Sequence, residues 1–138
     1  MSKTDQTFPL LKYALIGDAL ASGATGLMMA AGASILSDML GLSASLLTYA
    51  GLFLLPYAAA VAFVGTRKVI NRRAVWPIVI LNLLWVIDSV ALLLTLEPAP
   101  TLFGVIFIVF QAVVVLAFAI AQTIGLKQQK NDAEFIAA

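Results

Sequence analysis

Among the polar residues within the long apolar stretches of this sequence, six are candidates for a polar site inside the membrane. Two carry carboxyl groups, three carry amides and one carries a hydroxyl. They are Asp18, Ser22, Asn82, Asp88, Gln111 and Gln122. A carboxyl group within a membrane segment can be neutral and hydrogen-bonded, can exchange a proton or cation with a hydrated cavity, or can pair with a basic group on another subunit. The sequence leaves these three interpretations open.

The residue types that the chain lacks narrow the possible chemistry. It contains no Cys and no His, which excludes thiolate and imidazole metal ligands and a Ser-His-Asp catalytic set. The sequence also has no glycine-rich phosphate-binding motif after a strand and no paired acidic motif for a metal ion. We therefore expect a non-catalytic protein without a metal site or cofactor. A cofactor-free membrane enzyme is the third functional class left open, and no residue of the sequence indicates a substrate for it.

The composition and the apolar stretches predict a membrane protein. The chain is 62% hydrophobic and 11% charged, whereas an average soluble domain has about 45–50% apolar and roughly 25% charged residues. Four stretches are each long enough to cross a bilayer, which needs about 20 residues. They cover residues 10–33, 45–66, 74–96 and 101–126. We predict an all-α polytopic membrane protein, a four-transmembrane-helix bundle, with a short loop or interfacial turn over 35–43.

The basic residues fall in three segments that four alternating spans bring to the same side of the membrane. These residues are Lys3 and Lys12 near the N-terminus, Arg67, Lys68, Arg72 and Arg73 in the second loop, and Lys127 and Lys130 in the polar tail, 127–138. The positive-inside rule then predicts that both termini, including the N-terminal segment 1–9, are cytoplasmic. The four basic residues of the second loop are expected to contact anionic lipid headgroups.

The first stretch carries a stripe of small residues. Ser22, Gly26 and Ala30 follow Asp18 at a spacing of four, so the four residues share one helix face. Small residues at this spacing let a second membrane helix approach closely. The pattern predicts a helix-packing seam on the first helix, with Asp18 within it.

Alternating directions through the membrane place the other polar residues at two depths. Asp18 and Asn82 fall in the cytoplasmic half of the spans and Gln122 nearer the cytoplasmic surface, whereas Asp88 and Gln111 fall in the outer half. We therefore predict two polar layers. One joins Asp18 to Asn82 and Gln122, and the other joins Asp88 to Gln111.

Four short spans with an acid in the first resemble the small multidrug resistance transporters, which pair as antiparallel homodimers around a first-helix glutamate. This chain departs from that pattern in three ways. It is longer, it has Asp18 in place of the glutamate, and its basic residues lie entirely on one side of the predicted spans. The one-sided charge disfavours an antiparallel dimer.

A second resemblance covers most of the chain. The segments GDALASGATGLMMAAGA, LLPYAAAVA, LNLLWVIDS and FQAVVVLAFAIAQTIGL resemble those of a family of small four-span inner-membrane proteins of proteobacteria that has no assigned activity. The resemblance implies a location in the bacterial inner membrane. It also implies that some residues occupy recurring motif positions without a known role, namely Asp18, Ser22, Gly26, Asn82, Trp85 and Asp88.

These observations favour a non-catalytic integral membrane protein that acts as an accessory or scaffold subunit and packs through its first helix. Its expected partners are the lipid bilayer and either further copies of itself or a larger membrane complex, with no nucleic acid. The alternative is a small proton-coupled transporter or lipophilic-ligand carrier that uses Asp18.

Overall fold

The computed structural model describes residues 9–137, with side chains over 10–129, and the chain in that range is all-helical. Its helices are α1 (Pro9–Ala31), α2 (Ala33–Leu40), α3 (Ala44–Gly65), α4 (Arg72–Thr95) and α5 (Leu102–Ala137). Helices α1, α3, α4 and α5 are long and apolar enough to cross a membrane. The predicted all-helical class and the four long apolar helices are therefore confirmed.

Segment 35–43, expected to be a loop or turn, is mostly the short helix α2. The chain bends at Gly32 and resumes a helix at Ala33. This helix ends at Gly41, whose φ of 68° is left-handed and whose N–H donates to the Ser37 carbonyl at 3.0 Å. Glycine adopts this conformation at little cost, so α2 ends there and the chain turns into α3.

Helix α5 extends well beyond residue 126, where hydropathy predicts the end of the fourth span, and continues to Ala137. Sequence composition explains the extension. No Pro or Gly follows Gly125, and the polar tail is rich in Lys, Gln, Ala and Glu, which have high helix propensity. A loss of hydropathy therefore ends the apolar segment without ending the helix.

The four long helices pack as two pairs. Helix α1 lies along α3, and α4 lies along α5, while α1 also contacts α5 and so joins the pairs. In contrast, α3 and α4 touch at few places even though a short loop connects them. The space between the pairs is therefore filled less completely than the space within them.

Hydrogen bonds show which helix ends lie together. At one end, the Lys12 ammonium donates to the Gly65 carbonyl at 3.1 Å, and the Gln129 amide donates to the Ile70 carbonyl at 3.2 Å. At the other end, Thr101 donates through its backbone N–H to the Leu40 carbonyl at 3.1 Å. The start of α1, the basic second loop and the later part of α5 therefore share one end, which we call the basic end.

Two apolar cores fill the interior. One lies toward the basic end and includes Leu11, Leu15, Val61, Val75 and Leu126. The other lies toward the opposite end and includes Met29, Leu40, Leu47, Leu54 and Ile108. Many large apolar side chains face outward, as expected for helices solvated by lipid; examples are Leu20, Phe63, Ile87, Leu94 and Phe110.

Candidate functional site

A cluster of five polar side chains lies between the two apolar cores, and we call it the polar centre. All four long helices contribute to it. Its members are Asp18 and Ser22 from α1, Tyr57 from α3, Asn82 from α4 and Gln122 from α5. Asp18 and Gln122 are almost fully buried, with 1% and 0% of their surface exposed. The cluster is therefore enclosed by protein within a single chain.

The Asp18 carboxylate is the shared acceptor of this cluster. Its Oδ2 atom accepts from the Tyr57 hydroxyl at 3.0 Å, the Asn82 amide at 2.9 Å and the Gln122 amide at 2.9 Å. Its Oδ1 atom accepts from the Ser22 hydroxyl at 3.0 Å. Hydrogen bonds to an ionised group are stronger than those between neutral groups, so this arrangement stabilises a carboxylate without a bonded cation.

Two further hydrogen bonds connect the donors to one another. The Tyr57 hydroxyl lies 2.6 Å from Asn82 Oδ1, and the Asn82 amide also donates to Gln122 Oε1 at 3.0 Å. Tyr57 has only one hydroxyl proton, which it can direct to either Asp18 or Asn82. The proton position can therefore change within this cluster without any change in the heavy atoms.

This geometry accommodates both protonation states of Asp18. When Asp18 is ionised, its four neighbours can all donate to it. When Asp18 carries a proton on Oδ2, it can donate that proton to the Tyr57 oxygen, and Tyr57 then donates to Asn82 Oδ1. The polar centre can thus hold a proton, and it can also act purely as a structural connection among four helices.

Asp18 and Ser22 lie at the edge of a cavity between α1 and α5. The cavity has a volume of about 340 Å³, and its walls are mainly apolar, including Phe107, Phe110 and Phe118. Cavities of this size are at the small end of the range that binds small molecules. The only polar surface of this cavity comes from a few side chains of α1, α4 and α5.

A second polar group lies farther from the basic end. The Trp85 indole N–H donates to Gln111 Oε1, and the Gln111 amide donates to the Ser89 hydroxyl at 2.9 Å. Gln111 was expected to pair with Asp88, and that expectation is wrong. Ser89 and Trp85 occupy the face of α4 toward α5, whereas Asp88 is exposed.

Asp88 has no hydrogen-bond or ion-pair partner among the residues whose side chains the structure describes. It lies at the edge of a second cavity, of about 230 Å³, between α3, α4 and α5. Exposed apolar residues flank it on α4, among them Leu84, Ile87 and Val90. Asp18 and Asp88, the acids within the apolar parts of the long helices, therefore occupy opposite environments, Asp18 enclosed and Asp88 on the outer surface.

The small residues of α1 pack against α3. A Cβ atom on Gly26 would lie 2.8 Å from Leu54 Cβ and 2.9 Å from the Gly51 carbonyl oxygen, and one on Gly51 would lie 2.6 Å from the Ala30 nitrogen. The two backbones thus approach as closely as glycine allows. Ser22 is buried on the same face. The small residues of α1 therefore pack against another helix of the same chain.

The basic residues of the second loop lie at the basic end, and Lys68 and Arg73 are exposed. Arg67 donates to the Phe63 carbonyl at 3.1 Å and lies over the Phe63 ring, 4.5 Å from its centroid. Arg72 begins α4, following the cap residue Asn71. Their contact with lipid headgroups stays a prediction. Lys3 and the side chain of Lys130 lie outside the described residues.

Sequence reasoning missed Tyr57 as a member of the polar networks. It placed Trp85 and Ser89 on one arc of the third span with Asn82 and Asp88, but did not pair either of them with Gln111. Tyr57 follows Pro56 in an apolar run and carries the only hydroxyl near the middle of α3. Its depth, counted from the start of α3, would have placed it level with Asp18. Trp85 and Ser89 are four residues apart on α4, which puts both on one helix face. This spacing could have indicated that they contact the same partner.

Among the described residues, no group of three or more His, Cys, Asp or Glu side chains could hold a metal ion. No match to this chain was found among protein-family models, curated proteins or solved structures. The resemblance to four-span proteobacterial proteins stays a prediction, and the case for a function depends on the geometry.

Proposed function

We propose that the protein is a non-catalytic accessory subunit of a larger membrane complex, built as a four-helix bundle in a bacterial inner membrane. Both termini face the cytoplasm in this proposal. The described basic residues at the basic end support this orientation, since Lys and Arg are enriched on the cytoplasmic side. Asp38 and Glu97, which lie in or near the connections at the opposite end, are compatible with it.

The observation that carries the proposal is the exposed carboxyl group of Asp88. At 1.5 Å of rise per residue, Asp88 lies about 10 Å from the end of α4 at Thr95. A charged residue costs about 2.5–3.5 kcal/mol at the centre of a membrane helix on insertion scales. The Asp side chain is also too short to extend to the interface as Lys and Arg do. A neighbouring protein that covers this position would remove the cost.

The packing seam of α1 changes which helix we propose as the assembly surface. The sequence favours an accessory protein that packs through its first helix. Because Gly26 contacts α3 of the same chain, we propose that α1 organises the subunit itself and that α4 offers the surface for assembly.

Purification from native membranes in a mild detergent, followed by native mass spectrometry, tests this function. We expect a stoichiometric complex with a different membrane protein. A protein that is isolated only alone, or only with copies of itself, would contradict the accessory role. Asp38→Asn, which removes an exposed charge outside the long helices, is the control for a general effect of charge on purification.

A lipophilic-ligand carrier is the second candidate, and the cavity beside Asp18 favours it. The carboxyl group at the edge of a 340 Å³ apolar cavity, with two available proton arrangements, is suited to exchange a proton for a ligand. Asp18→Asn keeps the shape and most hydrogen bonds but removes the exchangeable proton. Unchanged transport by that variant would exclude the proton-coupled role, whereas an accessory subunit should assemble normally.

A further inference from the structure

We propose that the face of α4 around Asp88 binds a transmembrane helix of a different protein, and that this helix presents a Lys or Arg side chain to Asp88. The inference rests on the proposed accessory function and names the surface and the chemistry of the partner. Asp18 and Asp88 make this assignment possible, because among the residues whose side chains the structure describes only Asp18 has hydrogen-bond partners.

Asp18 needs no partner, since four donors from this chain converge on its carboxylate. Asp88 is exposed among apolar side chains that face the membrane. A carboxylate there is stabilised by an opposite charge in a medium where electrostatic attraction is only weakly screened. Charge complementarity therefore selects a cationic partner for this surface.

The depth of Asp88 distinguishes a protein from a lipid as the source of the cation. Amine groups of phospholipids lie in the headgroup layer, whereas Asp88 lies about 10 Å inside the end of α4. Lys and Arg side chains, in contrast, combine an apolar stem with a charged end and can bring a cation to this depth from a neighbouring helix.

The cavity at Asp88 fits such a side chain. The cavity lies between α3, α4 and α5 and has a volume of about 230 Å³. Leu46, Leu92 and Phe107 line it together with Asp88. The apolar walls can contact the stem of a Lys or Arg while its charged end reaches the Asp88 carboxylate, which also lines the cavity. Because α3 and α4 touch at few places, this space is accessible from the side of the bundle.

A second copy in the same orientation cannot supply the cation. The described basic residues lie at the basic end, and Arg72 is about 24 Å from Asp88 along α4. An antiparallel copy would bring basic residues closer, but the one-sided charge of the sequence opposes that orientation. The partner is therefore a different chain.

Photo-crosslinking in native membranes tests the surface. The crosslinker p-benzoylphenylalanine is placed at Ile87, beside Asp88, and separately at Phe110 of α5. Both positions are exposed. Ile87 lies about 12 Å from the C-terminal end of α4 and Phe110 about 12 Å from the N-terminal end of α5, and these two helix ends lie at the end of the bundle opposite the basic end. We expect an adduct from Ile87 with a protein that has a Lys or Arg within a transmembrane helix, and no such adduct from Phe110.

The role of the charge is tested in the same crosslinking background. Asp88→Asn should reduce the Ile87 adduct by about tenfold or more, a loss typical of a close interfacial charge pair. Asp88→Glu and the control Asp38→Asn should retain it. Asp88→Lys should also lose the adduct and regain it when the partner's basic residue is changed to Asp.

Several results would overturn the inference. They are an Ile87 adduct with a second copy of the chain, an adduct unaffected by Asp88→Asn, and a partner without a basic transmembrane residue. If a protein co-purifies but crosslinks only from Phe110, the accessory function stands and the surface is wrong. If no protein co-purifies or crosslinks, the function and the surface both fail.

Discussion

Replacing Asp18 with leucine is the most direct perturbation of the polar centre, because it removes the acceptor shared by four donors. Two of these donors keep a partner, since Tyr57 can donate to Asn82 Oδ1 and Asn82 can donate to Gln122 Oε1. The Gln122 amide loses its acceptor, and so does the Ser22 hydroxyl unless it bonds to a backbone carbonyl of its own helix. One or two buried donors are then left unpaired.

The expected loss of stability follows from that count. An unpaired buried donor costs about 1–3 kcal/mol, while hydrogen bonds measured within membrane proteins average about 0.6 kcal/mol. We therefore expect Asp18→Leu to lower the free energy of unfolding by about 1–6 kcal/mol. Asp18→Asn should change it by less than about 1 kcal/mol, because its carbonyl can replace Oδ2 and its amide can donate to Ser22.

Reversible unfolding in mixed micelles, followed by far-ultraviolet circular dichroism, measures these differences. Leu20→Ala, at a position of α1 that is 70% exposed, is the control and should change stability by less than about 0.5 kcal/mol. If Asp18→Leu is as stable as the wild type, or more stable than Asp18→Asn, the polar centre does not hold the helices together and the reasoning fails.

Three further predictions concern packing, the polar centre and topology. Gly51→Ala should destabilise the fold by about 1–3 kcal/mol, because its Cβ would meet backbone atoms of α1. The control Gly23→Ala should be tolerated, because its Cβ would lie 3.5 Å from its nearest neighbour. Equal stabilities of the two variants in unfolding titrations would contradict the close approach of α1 and α3. Tyr57→Phe should cost about 1 kcal/mol in the same titrations, and no loss would show that the hydroxyl contributes nothing. The chain has no cysteine, so a single introduced cysteine reports on topology. Ala99→Cys should react with a membrane-impermeant maleimide in intact cells, and Val69→Cys should react only after permeabilisation. The reverse pattern would contradict the proposed topology.

Hydropathy was sufficient to predict the four long helices, because lipid solvation imposes both the length and the apolar character of a spanning segment. It was not sufficient for the parts of the chain outside that constraint. The helix Ala33–Leu40 depends on a bend at Gly32 and a left-handed Gly41, and α5 continues past residue 126 because helix propensity, unlike hydropathy, is maintained there.

For the polar centre, depth counting brought Asp18 and Asn82 to one level and Gln122 nearer the cytoplasmic surface. The structure joins these three residues by hydrogen bonds. Depth alone could not decide which way each side chain points around its helix. That rotation explains why Gln111 contacts Trp85 and Ser89, and why Asp88 faces outward. Rotation is set by packing against neighbouring helices, which a single sequence with weak amphipathic patterning does not reveal.

The hydrogen bond between Asp18 and Gln122 joins residues separated by 104 positions in the chain. During synthesis α1 enters the membrane long before α5 exists. The Asp18 carboxyl group therefore lacks the Gln122 donor until α5 is made. In lipid, that group costs about 2.5–3.5 kcal/mol until the later helices arrive. A chain that stops before α5 lacks the Gln122 amide and leaves the Asp18 carboxyl group with three of its four donors.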